Sequence, residues 1–225
     1  MPEPIEVLKA AYGAFADVVR GMTDEVSWLP TDCVGWMVRD LVFHTLADAQ
    51  RALVALHTPA ARAADRDAVS YWTDWQPDPA ALAAASGRRY VRVGASMFVH
   101  VEQLRELYLE TAGAVVHAAA ATPGDLLVAT QGHVLTAGDL LRTLAVEVTI
   151  HHLDLVRSLP GGQPGPSRLG LGQVRRTLDG LLGRPTPVTA WDDATYARKA
   201  TGRSALTGQE RNLLGEDADR LPLFA

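Results

Sequence analysis

Residues 136–160 read TAGDLLRTLAVEVTIHHLDLVRSLP, and the architecture turns on this stretch. Thr136 has the chemistry of an N-cap, and Asp139 three residues on gives the acidic partner of a capping-box-like start. Pro160 and Gly161 end the helix. Leu140, Leu144, Val148 and Leu155 mark its apolar side. Glu147 and His151 stand four apart, so their side chains leave the same face one turn apart, beside that stripe. A carboxylate and an imidazole held together next to a core face are either a buried hydrogen-bonded pair or two ligands of one metal ion. A third ligand from elsewhere in the chain decides between the two.

The segment WMVRDLVFHTLADAQRALVALH, from Trp36 to His57, predicts a second helix with Val38, Leu41, Thr45, Ala49, Ala52 and Leu56 facing inward. His44 and Asp48 lie four apart beside that face. Residues 4–21 predict an amphipathic helix through Ile5, Leu8, Tyr12, Phe15 and Val19. Asp78 as a cap and Pro79 at N1 predict a third helical region reaching about Thr122, with Gly87, Gly94 and Gly113 as candidate bends. His100 and His117 on that region read as packed or surface residues. Tyr71, Trp72 and Trp75 form an aromatic cluster that is either a loop over the bundle or one wall of a pocket. Leu126–Thr130 and His133–Thr136 flank Gln131-Gly132 as a hairpin. Beyond the Gly/Pro stretch at 160–166, helices are expected from Ser167 to Leu182 and from Asp192 to about Ala200, with a short strand at Val188–Trp191 between them. Thr207 and Glu210 make a further capping box, and the apolar tail is expected to dock back. The expectation is a mainly α protein: an antiparallel four-helix bundle over residues 1–160, with a small C-terminal α(+β) extension over 161–225 packed on it.

At 225 residues and 48% apolar content the chain can bury a sizeable core. A net charge of −5 with no basic block leaves no electrostatic footprint for nucleic acid. One cysteine, Cys33, excludes an internal disulfide and a cysteine-rich zinc site. The start MPEPIEVLKA lacks a basic n-region and an apolar h-region, and no run of about 18 apolar residues exists to span a membrane. The expectation is a cytoplasmic monomer or homodimer. If the second and fourth long helices are neighbours, His44, Glu147 and His151 converge. Two imidazoles and a carboxylate suit Zn²⁺ with an open position. Nickel, iron or manganese also fit such donors.

The run W-x-V-R-D-L-x-x-H from Trp36 to His44 and the run E-x-x-x-H-x-x-D from Glu147 to Asp154 resemble the DinB-like, mycothiol-dependent maleylpyruvate isomerase superfamily. The tail WDDATYARKATGRSALTGQERNLLGEDADRLPLFA is similar to the C-terminal segment of its actinobacterial members. The resemblance covers most of the chain. It implies a DinB-like bundle, a divalent metal on His44, Glu147 and His151, and mycothiol as a thiol cosubstrate. A free thiol has a pKa of about 8.5, and metal coordination deprotonates it. The thiolate can then attack a small electrophile, so no catalytic cysteine is needed. An isomerase would add the thiol to a double bond, allow rotation and release it; a transferase would leave it attached. The tail is short for the full isomerase C-terminal domain, so both reactions stay open.

Asp154 and Asp48 are candidates to accept the second ring N–H of His151 and His44, or to pair on the surface with Arg157 and Arg51. His152 points away from His151. Arg142 and Arg203 are candidates to meet a substrate carboxylate or the polar groups of the thiol. Two other classes remain: metal-assisted hydrolysis with water in the open position, and a non-catalytic ligand-binding or partner protein.

Overall fold

A computed structural model describes residues 1–75 and 86–224. Helix α1 (Pro4–Arg20) opens on a proline, whose missing N–H costs nothing at a helix start. It buries Val7, Leu8, Ala11, Tyr12, Phe15, Val18 and Val19, the inner face that the spacing predicts. A single helical turn, α2 (Asp24–Ser27), leads to α3 (Val38–Leu56). After a 3₁₀ segment at Ser70–Trp75 come α4 (Ser86–Ser96) and α5 (Val101–Ala121). A hairpin, β1 (Leu127–Thr130) and β2 (His133–Thr136), pairs Val128 with Leu135 and turns at Gln131 and Gly132, both with positive φ (48° and 85°). That is the two-residue turn whose twist matches an antiparallel ribbon. The hairpin runs directly into α6 (Ala137–Ser158), where the Thr136 hydroxyl caps the Asp139 N–H at 3.0 Å.

The long helices α1, α3, α5 and α6 form the bundle: α1 and α3 each pack against both α5 and α6. Their shared core includes Leu8, Phe15, Leu41, Leu46, Leu104 and Leu155. Burying one such side chain contributes about 1.5–3 kcal/mol relative to leaving it in water. A second core lies on the other flank of α6. There Val146, Ile150 and Leu153 meet α7 (Arg168–Leu182) and α8 (Asp193–Ala200), with α9 (Gly208–Leu214) and a closing 3₁₀ turn beyond. The tail docks into this core, with Phe224 stacked on Trp72 at a centroid distance of 4.4 Å. Helix α6 is therefore buried nearly all round, as its unbroken apolar composition requires. No described helix is long and apolar enough to cross a membrane.

Two expectations change. The third helical region is not continuous; it breaks between Ser96 and Val101. Arg39 of α3 reaches across and donates to the carbonyls of Ala95 and Phe98, ending α4. Asp24 accepts from the Val101 N–H at 2.7 Å, starting α5. Both caps come from far along the chain. The Asp78 cap and Pro79 fall outside the described residues. The segment 188–191 is a turn, not a strand: Trp191 N–H returns to the Val188 carbonyl at 3.2 Å, with no strand beside it among the described residues.

Candidate metal centre

His44 sits near the middle of α3, and Glu147 and His151 near the middle of α6, on the line where these helices touch. Glu147 Oε1 lies 2.9 Å from His44 Nε2 and 3.3 Å from His151 Nε2. The two imidazoles meet edge to face at 4.7 Å. One ligand atom from each of the three residues falls within 4.8 Å of the other two. The side chains of His44 and Glu147 are 22% and 27% exposed and that of His151 is 9%, so the group opens to solvent on the α3 side. Trp36, just before α3, covers it from above, its ring 4.9 Å from His44 and 6.0 Å from His151.

Behind His151 stands a second layer. Its Nδ1 is 3.1 Å from Asp154 Oδ2. A bond donated from Nδ1–H leaves Nε2 as a lone pair turned toward Glu147, the form a metal needs. Asp154 in turn accepts two bonds from Arg203, Nε to Oδ1 at 2.7 Å and Nη2 to Oδ2 at 3.0 Å, and one from Cys33 Sγ at 3.3 Å. Burial works against charge on every member of this set. The hydrogen bonds from His151 and His44 outweigh it at Glu147 and hold that carboxyl well below its ordinary range. Burial likewise opposes charge on His151, and its bonds to Asp154, Cys33 and Glu147 push it well above the ordinary histidine value. Asp154 is buried too, yet His151 and Arg203 keep it ionised far into acid.

The remaining candidates fall into different places. Asp48 Oδ2 approaches His44 at Nε2, 3.4 Å away, so it faces the ligand side of the ring instead of supporting its other nitrogen. Burial, reinforced by Glu147, pushes Asp48 up to about 6 against the pull of His44 and His151. Arg203 is not open to a ligand; its guanidinium is used up on Asp154 and the Thr201 carbonyl. Arg142 is not brought to the triad. It donates to Gln173 Oε1 and to the Pro2 carbonyl, in the seam between α6, α7 and the N-terminal segment. Arg157 pairs with Asp32 at 3.0 Å, not with Asp154. His152 is buried against Phe15 and bonds the Pro164 carbonyl at 3.0 Å. In the aromatic cluster, Tyr71 is buried and its hydroxyl accepts from Gln131 Nε2 at 2.9 Å, whereas Trp75 stays largely exposed.

Three participants escaped the sequence reading. Cys33, taken as a loop residue, touches Asp154 across 121 residues of chain. Tyr12 and Tyr108, taken as plain core, line a small space against Asp48 and Glu147. No spacing rule links any of these to the triad. Two further groupings of ligand-type residues occur among the described residues. Cys33, His151 and Asp154 are already engaged with one another, and Asp24, His100 and Glu102 lie toward the surface.

Comparison with curated proteins gives no match. Among solved structures, the chain resembles the mycothiol-dependent maleylpyruvate isomerase at 16% identity and a TM-score of 0.51, over 78% of this chain and 66% of that one. It thus spans about two thirds of that enzyme's length. A histidine-to-alanine mutant of the isomerase matches at 14% identity and a TM-score of 0.53, over 84% of this chain and 72% of the other. At these identities the likeness speaks for the fold. The family evidence comes from the sequence itself, where residues 8–156, reaching from α1 to the end of α6 and including His44, Glu147 and His151, match one family as a unit. On that match the chain belongs to the mycothiol maleylpyruvate isomerase N-terminal domain family.

Proposed function

We propose that this protein is a metal-dependent, thiol-using transferase or isomerase acting on a small electrophile, with His44, Glu147 and His151 as the metal ligands. The observation that carries the reading is the convergence of one carboxylate oxygen on two imidazole Nε2 atoms, at 2.9 and 3.3 Å, on a face open to solvent. The donor set fits a divalent ion. Two neutral nitrogens and one carboxylate are the three-ligand pattern that leaves a position free, and zinc suits it best. A bound ion would supply Lewis acidity, making a low-molecular-weight thiol such as mycothiol a thiolate at neutral pH.

The chain's own groups do the rest. Asp154 keeps His151 in the tautomer that directs Nε2 to the centre, and Arg203 keeps Asp154 ionised and aimed. Trp36 shields one side of the imidazoles, which lowers the local dielectric and strengthens the charge interactions beneath it. Asp48 faces the ligand side and is placed to exchange a proton with whatever binds there. Family membership supports the choice of thiol chemistry over other metal chemistries.

One preparation tests the proposal. Elemental analysis should find one equivalent of a divalent metal, and electrophile turnover should require added mycothiol. His44→Ala and His151→Ala should lose the metal and keep the helical circular dichroism. Full metal occupancy in both variants would reject the ligand assignment, and turnover without thiol would make the protein a hydrolase instead.

A further inference from the structure

Glu147 spends one oxygen, Oε1, on both imidazoles, which leaves Oε2 for some other donor. No protein group is in evidence to fill that role. Yet a polar space lies directly behind the carboxylate, bounded by Tyr12 of α1, Asp48 of α3, Tyr108 of α5 and Glu147 of α6, and closed by Leu144 and Val148. Thr45 also borders it, but its hydroxyl donates to the Val42 carbonyl at 2.9 Å. The Tyr108 side chain is 1% exposed, and its hydroxyl has no hydrogen-bond partner. A buried hydroxyl left unpaired costs about 1–3 kcal/mol, so this position calls for an occupant. Tyr12 is buried as well, and its phenol lies close enough to feel Tyr108, Asp48 and Glu147.

The size and chemistry of this space specify the occupant. The volume is about 10 Å³, close to what a single water needs and too small for any organic ligand. A water has two hydrogens to give and two lone pairs to fill. Here two carboxylates can accept and two phenols can donate, a complete set of four partners. We propose that this space is a built site for one structural water, and that Tyr108 acts through it as a positioning residue for Glu147. The water draws Oε2 toward α5 and α1, which turns Oε1 to the two imidazoles. It also separates the Asp48 and Glu147 carboxylates, which would otherwise face each other unscreened. The water site stands whether or not a metal binds; only its effect on metal affinity rests on the function proposed above.

High-resolution crystal structures of the wild-type protein and of Tyr108→Phe test this. The wild type should show one ordered water within hydrogen-bonding distance of the Tyr108 hydroxyl and of a carboxylate oxygen of Glu147 or Asp48. In Tyr108→Phe the ring keeps its edge contact with Phe15, the water should be lost, and Glu147 should turn so that Oε1 leaves at least one imidazole. Metal affinity, read by competition with a chelator, should fall roughly 10-fold or more, the usual cost of losing an outer partner of a ligand. A dry space in the wild type, or a Glu147 unmoved in Tyr108→Phe, overturns the proposal. If the wild type takes up no metal, the ligand assignment fails and the two crystal structures still decide on the water.

Discussion

Asp154 accepts from His151, Arg203 and Cys33, so one carboxylate sets an imidazole tautomer and balances a buried guanidinium together. Its two polar partners can be removed separately. Asp154→Asn keeps the shape and loses the charge; metal affinity should drop roughly 10–100-fold by chelator competition, while the fold survives. Arg203→Ala leaves the carboxylate, 3% exposed, without its cation. Urea unfolding should then show a loss of about 3–5 kcal/mol, the range for breaking one side of a buried pair. The neighbouring His152 gives a pH prediction. Burial lowers it from 6.5 to about 4, only partly offset by the Pro164 carbonyl. Between those values the unfolded chain holds a proton that the folded chain refuses. The stability contribution of His152 is therefore full above the unfolded value and lost as pH falls toward about 4. From about pH 7.5 to about pH 5 the loss should be about 2 kcal/mol. His152→Gln, which can still donate to Pro164, should lack that component, and equal slopes in the two proteins would refute the assignment. At this scale the Glu147–His151 pair was legible because four residues along a helix is a local distance. The direction from which Asp48 meets His44, and the service of Arg203 to Asp154, depend on how helices dock and where residue 203 lands. No local rule carries that information.

Helices α3 and α4 meet at a contact that allows no side chain. A Cβ on Gly94 would stand 2.2 Å from the Phe43 ring, whereas one on Gly113, mid-α5, would meet nothing within 4 Å. The same substitution should thus have opposite signs. Gly94→Ala should destabilise by at least about 1–3 kcal/mol, since Phe43 sits among Tyr90 and Phe98 and cannot swing freely. Gly113→Ala should stabilise by about 0.5–1 kcal/mol through the lower entropy of the unfolded chain and better helix propensity. Thermal unfolding of both variants checks the pair, and a shift of the same sign in each would reject the packing described. Element boundaries follow the same division between local and distant causes. Thr136, Ser167, Asp192 and Thr207 cap their own helices through N–H groups three residues away, and each start could be read from the sequence. The α4–α5 break depends on Arg39 and Asp24, neither adjacent in sequence, so a continuous apolar spacing concealed it. The expected strand at 188–191 had suitable residues, but a strand needs a partner, and there the chain has only its own turn.

Across the whole molecule, α6 is shared. Its Leu140, Ala145 and Val148 belong to the bundle core, and its Val146, Ile150 and Leu153 to the core built with α7, α8 and the tail. The candidate metal ligands Glu147 and His151 ride on the same helix, and Arg203, from just beyond α8, closes on it from the second core. If one helix completes both cores, neither core can melt while α6 stays intact in the other without exposing a full apolar flank. Leu178 of α7 tests this, being wholly buried in the second core and far in sequence from the bundle. Leu178→Ala should cost about 2–5 kcal/mol, the range for emptying a buried leucine site. The tryptophans divide the signal: Trp72 and Trp191 report on the second core, and Trp36 packs against the first. With α6 coupling the cores, fluorescence of variants keeping only Trp36 or only Trp191 should lose structure at one common temperature, lowered equally by Leu178→Ala. Two transitions, with the Trp36 signal unmoved by Leu178→Ala, would instead make the extension an independent unit, and Arg203 would then be free to leave Asp154 while the bundle remains folded.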